Sequence, residues 1–403
     1  MVDPAARPGA PVRKASLSVA GGSGGGEYLA GTLVHIWADP PAPGSVFDRW
    51  TGDLEPLIDR YAAHTTLVMP ASRVAVSAVF KRAPTCEPAT MQLAQLLRGG
   101  PVDRIGAGGP SGPAGRAGPG TRTAPIDHGG TGAPGQVAAP GVEVSWCLPA
   151  RHSGIVLLFH GHEGSGASFF RNTEPWQFAR DALAAGFGLV ALDSADREHK
   201  GWQLSAAGIN PDVRNLRAVL EELVRRKLVD RQEPLYALGV AGGARFAALA
   251  APLLRCKAVA LFFAPGNLPP NYEVPTIWLM AQNAVNREPR ALAEYTRLAQ
   301  RQVPAQFNIN DPSPVYPLRF QRIRGVAPAD SNALYRLLKD RGFLDAQDML
   351  KQDPESSGWE TTLPPRFARL RGAVREQLDV CFSLPRFYSD FDNRILDFFN
   401  EHR

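Results

Sequence analysis

The chain has 403 residues, enough for two or three folding units joined by linkers. Its hydrophobic share of 44% and charged share of 21% are those of a globular protein, and no run of about 18 uninterrupted apolar residues occurs, which excludes a membrane-spanning helix. Lys and Arg total 44 against 39 Asp and Glu, a net charge of +5 that is scattered along the chain, so nucleic acid is not the implied partner. The four cysteines, Cys86, Cys147, Cys256 and Cys381, lie far apart without metal-ligand spacing and read as isolated buried thiols. No motif implies a cofactor or a metal.

In chain order, residues 15–82 alternate apolar and polar positions in short runs, among them Leu33-Val34-His35-Ile36-Trp37 and Val74-Ala75-Val76-Ser77-Ala78-Val79-Phe80. Glycine-rich turns separate the runs, so the segment reads as a small antiparallel β-module with Phe47 and Trp50 as core anchors. The glycine run 21–26, Tyr28, the cluster Phe47-Asp48-Arg49-Trp50-Thr51-Gly52-Asp53 and Met69-Pro70 together resemble the divergent internalin-type B-repeat. That resemblance implies a spacer or adhesive module of bacterial extracellular proteins. The start of the chain lacks the apolar stretch of a signal peptide, and the two signals conflict. The reading leans to an exported protein with a truncated start, with the cytoplasm as the alternative.

Residues 83–141 are read as a disordered Gly/Pro/Ala-rich linker, since such composition cannot bury enough apolar surface to offset its ordering entropy. From residue 142 to 403, continuous apolar runs such as Ile155-Val156-Leu157-Leu158-Phe159 and Gly188-Leu189-Val190-Ala191-Leu192 alternate with helical stretches. Runs of that kind are strands covered on both faces, so a doubly wound, mostly parallel α/β sheet is expected. Asn210 and Pro211 are placed to start a helix whose Val213, Leu216, Leu220 and Leu223 share one face.

The chemistry of such a sheet sits at the C-terminal ends of its strands. There the chain carries Phe159-His160-Gly161-His162-Glu163-Gly164, a small-residue loop suited to an oxyanion hole, and Gly239-Val240-Ala241-Gly242-Gly243, the strand–turn–helix frame of a nucleophile elbow. These motifs resemble the α/β-hydrolase superfamily, and stretches such as Asp311-Pro312-Ser313-Pro314 and Ser357-Gly358-Trp359 resemble a branch of serine esterases. The resemblance implies a Ser, an acid and a His. The nucleophile position holds Ala241, the acid position falls at Ala284 with no carboxylate before Glu288, and the base region around Pro385 has no His. The expected oxyanion-hole and pocket residues are His160, Gly161, His162, Asp196 and Gly242, while a surrogate or metal site built from His160, His162, Glu163, Asp193, Asp196 and His199 lacks ligand spacing. The expectation is a catalytically inactive relative of serine esterases that keeps a pocket for a small-molecule or ester-like ligand or a partner. An active ester hydrolase or depolymerase with non-standard residues and an exported adhesive or scaffold protein are the alternatives.

Overall fold

The computed structural model describes residues 14–98, 103–104, 141–205, 210–284 and 289–403. The alternating segment folds into β1 (Lys14–Ala20), β2 (Gly22–Ser23), β3 (Gly26–Leu29), β4 (Leu33–Ala38), β5 (Ser45–Gly52), β6 (His64–Val68) and β7 (Val74–Arg82). They form a four-stranded sheet in the order β3-β1-β7-β5 and a three-stranded sheet in the order β2-β4-β6. The pairing is antiparallel except between β1 and β7, which run parallel; the all-antiparallel expectation is corrected at that one pair. Period-two alternation puts Val34, Ile36, Trp50 and Leu67 inside, and Trp50 donates its indole N–H to the Ala62 carbonyl at 3.0 Å. Trp50 and Phe47 are core residues, as read from the sequence.

The second unit contains β8 (Ala89–Gln92), β9 (Asp103–Arg104), β10 (Glu143–Cys147), β11 (Ile155–Phe159), β12 (Gly188–Leu192), β13 (Leu235–Val240), β14 (Ala258–Phe262), β15 (Thr276–Ala281) and β16 (Ala305–Asn310). Their order is β16-β15-β14-β13-β11-β12-β10-β8-β9, parallel from β16 to β12 with β10 antiparallel to both of its neighbours. This is the α/β-hydrolase arrangement. Two expectations are corrected here. Residues 89–97 are not linker, because β8 pairs along β10 and is followed by the helix α1 (Leu93–Leu97), whose Leu93 and Leu96 are fully buried. Nor are all cysteines free thiols: Cys86 and Cys147 form a disulfide, while Cys256 and Cys381 are free and buried. The Gly/Pro-rich stretch 105–140 lies outside the described residues.

The remaining helices are α2 (Ser168–Arg171), α3 (Thr173–Ala184), α4 (Pro211–Arg225), α5 (Gly242–Leu254), α6 (Pro289–Gln300), α7 (Pro328–Asp340), α8 (Arg371–Cys381) and α9 (Asp392–Glu401). In β11 the side chains of Ile155, Leu157 and Phe159 join the core layer that contains Val213, Leu216 and Phe246 of α4 and α5. Val156 and Leu158 face the opposite layer, with Phe178 of α3 and Ile395 of α9. A strand apolar at every position is what two covered faces require. Asn210 caps α4 as expected, its side-chain oxygen accepting from the Val213 N–H at 3.1 Å. Among the described residues no helix is long and apolar enough to cross a membrane.

The module is docked on the second unit rather than held away from it. Trp37 stacks on Tyr316 with ring centroids 4.5 Å apart, Arg394 pairs with Asp59, Asn393 donates to the Tyr61 carbonyl, and Arg180 donates to the Ser45 carbonyl.

Candidate functional site

The sheet delivers the expected turn to the expected place. β13 ends at Val240, Ala241 follows with φ 50° and ψ −111°, and α5 begins at Gly242. A non-glycine residue at positive φ is strained by its Cβ, and this one is held there by hydrogen bonds on both sides. The Ala241 N–H donates to the Phe262 carbonyl at 2.8 Å, and the Ala241 carbonyl accepts from the Ala244 N–H at 3.0 Å. The flanking glycines are required by contact. A Cβ on Gly239 would run into the Gly243 carbonyl, and one on Gly243 into the carbonyls of Phe159 and His160. The elbow is therefore intact as a backbone device, carrying a methyl group at its apex.

Gly161 sits beside that apex: a Cβ on it would lie 3.7 Å from the Cβ of Ala241. Gly242 is exposed at the start of α5, where a helix's first N–H groups have no internal acceptor. Gly161 and Gly242 thus flank the apex, with His162 exposed next to Gly161 in the chain.

His160 has a different role. It is 2% exposed; its Nε2 accepts from the Ser194 N–H at 3.1 Å, so Nδ1 carries the proton and donates to the Gly161 carbonyl at 2.8 Å. Burial pushes its pKa down to about 4, against the upward pull of that backbone bond. With both ring nitrogens committed and the ring 4.9 Å from Trp202, His160 shapes the loop and has no lone pair left for proton transfer. The expectation of His160 as a pocket residue is corrected to a loop brace.

Asp196 is likewise corrected. Its carboxylate accepts from the Glu198 and His199 N–H groups and meets the His199 ring at 3.2 Å on an exposed turn, and these bonds to His199 hold its pKa below the usual range. Asp193 is buried and braces the loops, accepting from the Gly166 N–H at 2.8 Å and pairing with Arg197 at 2.9 Å. Glu163 contributes only its carbonyl, which accepts from Lys200.

In the segments read from the sequence as acid and base positions, the polar side chains bond backbone groups. After β15, Asn283 donates its side-chain amide to the Phe382 carbonyl at 2.8 Å, and Ala284 follows with no polar group; Glu288 lies outside the described residues. The stretch before Pro385 packs onto the ends of β15 and β16, where the Ser383 hydroxyl accepts from the Gln282 N–H and donates to the Asn310 carbonyl. The Asn283 amide N–H and the Ser383 hydroxyl are thereby used to tie loops. His402 bonds its own helix at Phe398 while the neighbouring Arg403 lies over Phe187, just before β12, at the sheet edge opposite the elbow. Among the described residues no cluster of His, Cys, Asp and Glu is arranged to hold a metal.

Sequence reasoning missed a second polar assembly, at the junction with the module. Glu174, fully buried on α3, accepts from Arg322 at 3.0 Å, Gln377 at 2.8 Å and the Ser389 hydroxyl at 2.7 Å. Arg322 also bonds Asp390 at 2.6 Å, and Arg319, 1% exposed, lies 3.6 Å from Glu174 and 3.8 Å from Asp390. Burial alone would raise both acids; the two guanidiniums outweigh it and hold Glu174 and Asp390 below the usual carboxylate range. Nearby, burial pushes Asp181 up to about 6, and burial together with the negative charges of Asp181 and Glu174 raises Asp392 well above the usual range. No pattern in the sequence marks these residues, since their spacing spans some two hundred positions.

Residues 15–84 match the family model of the divergent InlB B-repeat domain. No curated protein sequence matches the chain. Among solved structures, the chain is similar to an acetyl xylan esterase from Aspergillus awamori at 13% identity, covering 41% of this chain and 76% of that one, with a TM-score of 0.33. It is similar to a thermostable carboxyl esterase from Bacillus coagulans at 10% identity, covering 42% and 85%, with a TM-score of 0.34. A dienelactone hydrolase from Anabaena variabilis is 18% identical over 51% of this chain and 93% of its own, with a TM-score of 0.33.

Proposed function

We propose that the chain is a non-catalytic α/β-hydrolase-fold protein, in which the turn that once presented a nucleophile survives as scaffold and the protein works by binding. One observation carries this reading. Ala241 keeps the strained φ and ψ of an elbow apex while offering only a methyl group to the site. Strain of this kind costs on the order of 1–3 kcal/mol and persists only where surrounding structure enforces it. Here the enforcement is the packing of Gly239 and Gly243, so the conformation has outlived its use. The loss extends beyond one side chain, because His160 is committed through both nitrogens and Asn283 and Ser383 are tied to backbone groups. A backbone oxyanion hole without nucleophile and base gives only weak residual rate enhancement.

The full chain should hydrolyse p-nitrophenyl acetate and butyrate at the buffer rate between about pH 6 and 9, a range that covers the working pH of a His base. Saturable turnover that is lost on His162→Gln would replace this reading with surrogate chemistry at the oxyanion loop. Turnover insensitive to that change would show a nucleophile elsewhere.

A further inference from the structure

Between the module and the α/β domain lies a cleft of about 490 Å³, within the size range of small-molecule sites and at the kind of domain junction where they gather. The module contributes Asp39 and the proline-rich turn around Pro41; α3 contributes Trp176, Arg180 and Asp181; the segment after the Arg319–Arg322 turn contributes Arg324. The arginines near this cleft differ in how they are satisfied. Arg319 and Arg322 are matched by Glu174 and Asp390, whereas neither Arg180 nor Arg324 forms a salt bridge among the described residues. Both are nonetheless fixed in place. Arg180 donates to the Ser45 carbonyl and to Gln177, and Arg324 donates to the Phe170 carbonyl at 3.2 Å while stacking 4.2 Å from the Trp176 ring centre.

We propose that this cleft is a binding site for a hydroxylated carboxylate of about the size of a uronic acid unit, its carboxylate bridging Arg180 and Arg324. A guanidinium has five donors in a planar fork matched to a carboxylate, and each of these has donors left over. Burial, together with the positive charge of Arg180, holds the Arg324 pKa below its usual value, and burial lowers that of Arg180 against the opposing pull of Asp181, so both cations are partly desolvated. Asp39 and Asp181 on the same walls supply acceptors for hydroxyl groups and weigh against a doubly charged ion such as phosphate. Trp176, Tyr316 and the prolines provide apolar surface for the carbon face of a ring. The site is separate from the elbow, and an active elbow would leave it standing.

The test is saturation-transfer NMR on the full chain at pH 7 with D-glucuronate, its neutral counterpart D-glucose, and inorganic phosphate. D-glucuronate should bind saturably, D-glucose at least tenfold more weakly, and equimolar phosphate should fail to displace the uronate. Arg324→Gln, which leaves the Arg180–Ser45 bond intact, and Arg180→Gln should each weaken glucuronate binding at least tenfold. Unchanged melting of Arg324→Gln would show that the loss is local. Absence of saturable glucuronate binding, equal binding of glucose, full displacement by phosphate, or retained affinity in the double variant would each overturn the proposal.

Discussion

At the scale of single residues, the informative ones are those whose backbone and side chain disagree. Ala241 holds a backbone conformation that is strained for a residue with a Cβ, while its side chain is a single methyl group. Glycine tolerates positive φ without the Cβ penalty, although it also widens the unfolded ensemble by about 0.4–1 kcal/mol. Ala241→Gly should therefore leave the chain as stable as before or raise its stability by up to about 2.6 kcal/mol, read from urea unfolding. A clear loss would mean that the turn is relaxed and the elbow reading is mistaken. The elbow was legible in the sequence because glycine spacing around a tight turn is a local property, as was the missing hydroxyl. The role of His160 was not. A histidine after a buried strand looks the same in sequence whether its ring faces a cleft or, as here, accepts from Ser194 and donates to Gly161.

At the scale of elements, strands and capped helices followed from local pattern, and the exceptions share one cause. The four residues of β8, Ala89 to Gln92, carry little periodicity of their own; they form a strand because β10 offers them an edge. The Cys86–Cys147 bond joins the approach to that strand with the end of β10, a pairing that spacing alone could not disclose. The contact between the module and the α/β domain is similarly non-local. His64 of β6 stacks on Trp37, lies 3.0 Å from His35, and is pushed down to about 3 by burial, a shift that the charges of His35, Arg319 and Arg322 reinforce and that of Asp390 opposes. Asp390 and the two arginines face it from the α/β domain, and His35 and Trp37 from its own sheet. A base whose folded pKa is depressed contributes stability that is present above its unfolded value near 6.5 and is lost as pH falls toward about 3. Asp181, raised to about 6, acts in the opposite sense over the upper part of that window, so a comparison of variants is needed. The stability advantage of the parent chain over His64→Gln should be largest above pH 6.5 and shrink by about 1 kcal/mol or more by pH 4, measured by urea unfolding at each pH. An advantage that grows on acidification would show that His64 is protonated in the folded chain.

At the scale of the whole molecule, two units that read in sequence as beads on a tether are packed against each other, and the packing makes a cleft that neither has alone. The fold class came from local pattern, while the cleft and the buried Glu174–Arg322–Asp390 cluster came only from assembly. In the proposed function, an entire catalytic constellation is gone, not one hydroxyl. Fluorophosphonate labelling of the parent chain and of Ala241→Ser reads this directly, because the reagent reports a serine activated by a neighbouring base. Neither protein should be labelled above a heat-denatured control. Rapid, stoichiometric labelling of Ala241→Ser at residue 241 would mean that a working base still faces the elbow, and would contradict the account.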